Sequence, residues 1–129
     1  NADVPRSLTY VPDAARAIMR LVDDTRTWGQ VWHLPTALPP LTGREIAGIA
    51  ARSFGVKERL IVLPKWLLKV CGWFVPIMGE VYEMLYQDEF PFLFSSEKFE
   101  KAFNYQPVSY EEGIRQTAEW FKRENSKAI

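Results

Sequence analysis

The chain offers one imidazole and one thiol, His33 and Cys71, and these bound its chemistry first. A single cysteine excludes an internal disulfide, and a single histidine beside it excludes zinc sites of the usual Cys/His spacings. Cys71 stands between Val70 and Gly72 with no histidine nearby, the setting of a packed thiol rather than a nucleophile. His33, between Trp32 and Leu34, reads as a packed histidine, with a ligand contact as the other reading. His33, Asp13 and a serine could form a triad on paper, but the G-x-S-x-G elbow that would position the nucleophile is absent. A lysine four residues after a tyrosine would lower the phenol pKa for proton transfer. Tyr10, Tyr82, Tyr86, Tyr105 and Tyr110 are followed at that spacing by Ala14, Tyr86, Phe90, Ser109 and Ile114, so none qualifies. Glycines fall at 29, 43, 48, 55, 72, 79 and 113 with none two or three apart, so no phosphate-cradling loop is present. The acidic pairs Asp23-Asp24, Asp88-Glu89 and Glu111-Glu112 are adjacent in sequence and read as solvated surface. The residues alone give no catalytic constellation.

What could position a site is one domain's worth of chain. The 129 residues are 47% hydrophobic and 25% charged, an ordinary globular balance. Sixteen basic residues offset sixteen acidic ones, so no net field draws the chain to nucleic acid, which is not an expected partner. No secretory signal opens the chain. One cysteine fits a reducing compartment, and the expected location is the cytoplasm. Asn1-Ala2 reads as a protease-cleavage scar, residues 3–125 as the domain, and 126–129 as a polar tail.

Along the domain, residues 7–11 read as extended, and Pro12-Asp13 opens a helix with Ala14, Ala15, Ile18, Leu21 and Val22 on its apolar face. Gln30–Leu34 and Arg59–Leu63 have the character of short strands, each ended by proline. Thr42-Gly43-Arg44-Glu45 is a capping box for a helix carrying Ile46, Ile49, Ala50 and Phe54, with Gly55 as its left-handed stop. Trp66, Leu67, Val70, Trp73 and Phe74 suggest one helix, broken by Gly72 and Pro76; Val81, Met84 and Leu85 suggest a second, to about Asp88. Pro91 forces an extended stretch through Phe92–Phe94, and Ser95-Ser96 caps a helix carrying Phe99, Ala102 and Phe103. Ser109-Tyr110-Glu111-Glu112 is a second capping box, with Ile114, Ala118 and Phe121 inward and the chain fraying from Arg123. The expected class is α+β and predominantly helical, with five or six helices and two or three short strands. The apolar run from Leu60 to Gly79 carries Lys65, Lys69 and two prolines, so it reads as core or pocket wall and not as a transmembrane segment.

Four segments, in order, carry a resemblance. Arg6-Ser7-Leu8-Thr9-Tyr10-Val11-Pro12-Asp13-Ala14-Ala15 resembles the R-D-[FY]-x-[HY]-V-x-D-x-A segment of extended and atypical short-chain dehydrogenases/reductases, the NAD(P)-dependent epimerase/dehydratase group. Gln30–Leu34 followed by Leu41–Ile46 is similar to that group's strand and its l-T-x-x-E-l helix start. Ser96-Glu97-Lys98 with Phe103-Asn104-Tyr105-Gln106-Pro107 resembles s-x-K…l-G-w-x-P, and Ser109–Trp120 resembles s-l-e-e-G-i-x-x-t-x-x-W. Together they cover about Arg6 to Phe121.

The resemblance is to the carboxyl-terminal, substrate-binding part of such enzymes. In them the glycine-rich loop and the Ser/Tyr/Lys catalytic residues lie upstream, in a Rossmann half this chain lacks. It implies NAD or NADP in a longer parent, no cofactor and no catalysis in this chain alone, and a small-molecule substrate held jointly with the missing half. Arg6 matches the arginine that pairs with the substrate diphosphate in nucleotide-sugar epimerases, a role suited to a guanidinium fork. Two departures stand out: Ser7 replaces an acidic residue, and Tyr86–Phe94 has no arginine where a second R-x-G-D contact is usual. The aromatic run from Leu63 to Met84 is instead similar to relatives that reduce steroid, flavonoid or lipid-like substrates. The expected substrate-binding residues are Arg6, Tyr10, Trp66 and Tyr86, and self-association is expected through the face left bare. The alternatives are a stand-alone helical interaction or membrane-surface docking domain acting through residues 64–88, and an enzyme using His33.

Overall fold

Each helix begins where the sequence supplies a start signal, and the few strand pairs only tie helix ends together. A computed structural model describes residues 2–73, 75–85 and 89–127, without the side chains of Lys65, Leu68, Cys71, Pro76, Met78 and Lys127. The elements are β1 (Pro5–Arg6), α1 (Val11–Asp23), a 3₁₀ turn (Thr25–Thr27), β2 (Leu41–Thr42), α2 (Gly43–Phe54), α3 (Lys65–Gly72), α4 (Pro76–Met84), α5 (Glu97–Phe103) and α6 (Tyr110–Lys127). The chain is predominantly helical α+β, as expected. Helix α6 extends to Lys127, past Arg123 and past the boundary expected at 126.

β1 and β2 pair antiparallel, Pro5 opposite Thr42 and Arg6 opposite Leu41. On its other side Arg6 makes a parallel bridge to Phe92. The buried Ser7 completes that seam: its N–H donates to the Phe92 carbonyl at 2.9 Å, and its hydroxyl accepts from the Phe94 N–H at 3.2 Å. The extended stretch expected after Pro91 is therefore real. The strands expected over Gln30–Leu34 and Arg59–Leu63 are not. Neither run finds a neighbouring backbone to ladder with; Val31 spends its carbonyl on the Lys98 ammonium at 3.0 Å, and residues 57–64 lie exposed.

Helix α2 carries the expected box: the Thr42 hydroxyl accepts from the Glu45 N–H at 3.3 Å, and the Glu45 carboxylate accepts from the Thr42 N–H at 2.8 Å. Gly55 closes it at φ +72°. The inward stripe is shorter than expected, since Ile49 is buried but Phe54 is exposed beneath the Lys122 ammonium, 5.9 Å from the ring. The second box is half formed. Ser109 Oγ accepts from the Glu112 N–H at 3.3 Å, while the Glu112 carboxylate turns to Arg115 and Gln116. Those partners lower its pKa to about 2. Of α6's expected inward residues, Ala118 is buried and Phe121 is exposed. At α5 the two serines divide their roles: Ser95 Oγ accepts from the Glu97 N–H, and Ser96 Oγ serves Thr36 and Glu100.

Helix α2 packs on α6, and α3 packs on α4. The core is small and centres on Phe99, whose ring meets Trp32, Phe103 and Tyr105 with centroids 4.7–6.4 Å away. Around it lie buried polar residues, Ser7, Asp13, Thr27, Thr36 and Ser96. Among the described residues every buried side-chain N or O atom has a hydrogen-bond partner.

Helix α1 departs most from expectation. It has the predicted extent but is rotated about its axis: of the five residues expected inward, Ala14 and Leu21 are half-buried and Ala15, Ile18 and Val22 are exposed. Asp13 and Ala17 face the core, while Val11, Ala15, Ile18 and Val22 face solvent, with Met19 beside them. The spacing of Val11, Ala15, Ile18 and Val22 is i, i+4, i+7, i+11, a continuous helical stripe. Val11 is 77% exposed and Val22 63%.

Candidate functional site

The best-built polar assembly starts with Asp13, in the first turn of α1. Its side chain is 1% exposed. Oδ1 accepts from the Tyr105 hydroxyl and from Arg16 Nη2, and Oδ2 accepts from the Val108 N–H at 2.8 Å. Burial alone would push the Asp13 carboxyl up. The Tyr105 hydroxyl, the Val108 amide and the Arg16 guanidinium outweigh it and hold the group below its ordinary value. Burial pushes the Tyr105 phenol up; the Arg16 hydrogen bond opposes this and the Asp13 carboxylate adds to it. The Arg20 guanidinium lies over the other face of the network, 5.0 Å from the Tyr105 centroid. With both oxygens engaged, Asp13 is a clasp between α1 and the turn before α6, and it is no base for His33.

A second joint lies one turn earlier. The half-buried Tyr10 donates its hydroxyl to Gln116 Oε1 at 2.8 Å, and its ring presses on Gly113, where a Cβ would come within 3.2 Å of Tyr10 Cδ2. Beside this joint a half-open groove of about 660 Å³ runs between α1 and α6, walled by Val11, Pro12, Trp120 and Phe121. A third joint links Thr36 to Ser96, N–H to Oγ, at 3.0 Å.

The four residues expected to bind substrate are not gathered by these joints. Arg6 is half-buried in the seam between Leu41 and Phe92. Tyr10 is one turn of chain away and occupied with α6. Trp66 is 67% exposed on α3. Tyr86 lies outside the described residues, as does the Cys71 side chain. Asp13, read in the sequence as part of a helix start and as a triad member on paper, is a buried clasp instead, a role that reasoning missed. Its partner Tyr105 is 92 positions away, and only the recurrence of both inside matched segments could have paired them.

His33 has a defined tautomer. Its Nδ1 lies 2.8 Å from the Ser95 carbonyl, which can only accept, so Nδ1 carries the proton; the ring meets Phe94 edge-on at 5.6 Å. Among the described residues no cluster of three His, Cys, Asp or Glu side chains could hold a metal ion. No described helix is long and apolar enough to cross a membrane. No protein-family model, no curated protein and no solved structure matches this chain.

Proposed function

We propose that this chain is the substrate-binding module of an NAD(P)-dependent extended or atypical short-chain dehydrogenase/reductase, of the epimerase/dehydratase or reductase type. The observation that carries the reading is α1, with a buried carboxylate on its inner face and the exposed Val11, Ala15, Ile18 and Val22 on its outer one. An exposed apolar stripe of that length needs a cover, and a cofactor-binding half is the body the resemblance supplies. A second observation supports it. The segments that carry the resemblance meet one another: Asp13 holds Tyr105 and Val108, Tyr10 holds Gln116 and Gly113, Thr36 holds Ser96, and Arg6 pairs with Leu41.

This chain has no loop of closely spaced glycines to cradle a dinucleotide, so the nicotinamide cofactor belongs to the other half, where it supplies the hydride chemistry. The chain's own part is to hold and orient substrate. Arg6, Tyr10, Trp66 and Tyr86 remain the proposed contacts, in the cytoplasm. Without the other half, the bare α1 stripe favours self-association.

Immunoblotting the native protein in its source cells with antibody raised to this chain tests the reading. A band larger by a domain of roughly 100–200 residues supports it. A band at the chain's own size overturns it in favour of a stand-alone interaction domain.

A further inference from the structure

The helices α3 and α4 share one pattern with opposite charge. In α3 and the turn that closes it, the order is Trp66-x-x-Lys69-Val70-x-x-Trp73; in α4 it is Ile77-x-x-Glu80-Val81-x-x-Met84. Each places three apolar side chains at i, i+4 and i+7, with one charge adjoining the stripe at i+3. All six apolar side chains are exposed, as are Lys69 and Glu80. The two helices pack on each other, closely enough that a Cβ at Gly79 would lie 3.9 Å from the Gly72 carbonyl, yet both stripes remain uncovered. Among the described residues neither Lys69 nor Glu80 makes an ion pair or a side-chain hydrogen bond.

We infer that the α3–α4 hairpin is a homodimerisation surface, on which α3 of one copy lies along α4 of a second copy and Lys69 meets Glu80 across the twofold. Twofold symmetry makes the arrangement self-complementary, because each α3–α4 contact is generated twice and each carries one such ion pair. Charge decides between this occupant and a bilayer. The hairpin holds Lys65 and Lys69 against Glu80 and Glu83, so no net charge draws it to anionic lipid. The inference does not depend on the enzyme family and uses a different surface from α1.

Sedimentation velocity on the whole chain, with single charge reversals, tests it. The wild type should dimerise reversibly. Lys69→Glu or Glu80→Lys alone should weaken the dimer about tenfold, since each puts two like-charged pairs across the interface. An equimolar mixture of the two variants regenerates both opposite-charge pairs and should recover the wild-type dimer, as should the double variant. Ile18→Ser on α1 should leave this dimer in place. A chain that stays monomeric overturns the inference, as do single reversals without effect or a mixture no better than its components. Binding to phosphatidylcholine/phosphatidylglycerol vesicles without self-association overturns it in favour of a membrane surface. Carbodiimide cross-linking of mixed ¹⁵N-labelled and unlabelled wild type provides a test that needs no variant. A Lys69–Glu80 link joining heavy and light peptides supports the dimer, and its absence contradicts it.

Discussion

The body built on α1, α2, α5 and α6 and the α3–α4 hairpin are held by different physics. In the body, long-range polar joints do the fixing: Asp13 to Tyr105 and Val108, Tyr10 to Gln116, Thr36 to Ser96, and the Lys122 ammonium on the Ser53 carbonyl at the end of α2. In the hairpin, the described residues of α3 and α4 make no side-chain hydrogen bond or ion pair, and the two helices simply lie together. A buried hydrogen-bonded charge is costly to leave unpaired, so it specifies one arrangement, whereas exposed apolar stripes are satisfied by any suitable cover. The body is thus fixed from within, and the hairpin waits on what covers it.

The sharpest break of that contrast is at Asp13. Asp13→Asn turns one accepting oxygen into a donor facing groups that all donate, and should cost about 3 kcal/mol in chemical denaturation. The same change should flatten the acid limb of stability. Because the folded Asp13 carboxyl lies below its ordinary 3.8, its contribution is full above that pH and is lost as pH falls through the folded value. A stability curve from pH 7 to 2 should therefore drop more steeply in the wild type than in Asp13→Asn.

Gly113→Ala comes next. The added Cβ would sit 3.2 Å from the Tyr10 ring, next to atoms fixed near that residue's backbone. We expect a net loss of about 1 kcal/mol despite alanine's better helix propensity, turning into a gain when Tyr10 is also alanine. A double-mutant cycle by thermal unfolding measures this. Thr42→Ala removes the α2 cap and should cost slightly less, on the order of 0.5–1 kcal/mol. At the small end, Trp73→Ala in the hairpin removes a side chain that is 85% exposed and should change monomer stability by under about 0.5 kcal/mol.

These residues also show how far the sequence could be read. The Thr42–Glu45 box and the Gly55 stop were legible because each is complete within a few residues. The extent of α1 was legible for the same reason, from Pro12 to Asp23, but its orientation was not. Periodicity reveals a stripe of Ile18 and Val22 without saying which side the core lies on, and here the core side is the one with Asp13. Gln30–Leu34 has strand composition but no strand forms, since a strand needs a neighbour that local sequence does not supply. Of the candidate site, the matched segments were visible. Their joints were not, because Asp13 and Tyr105 meet only through the fold, and Trp66 belongs to a helix pair that packs on itself.

Met19 reports most directly on whether the outer face of α1 is an interface. It is 59% exposed beside Val11, Ile18 and Val22. Oxidation by dilute peroxide, read by peptide mass spectrometry, compares this chain alone at low concentration with the native protein from its source cells. A covering half predicts Met19 oxidised readily in the isolated chain and strongly protected in the native protein. Equal oxidation in both would contradict it and leave the apolar face of α1 without a partner.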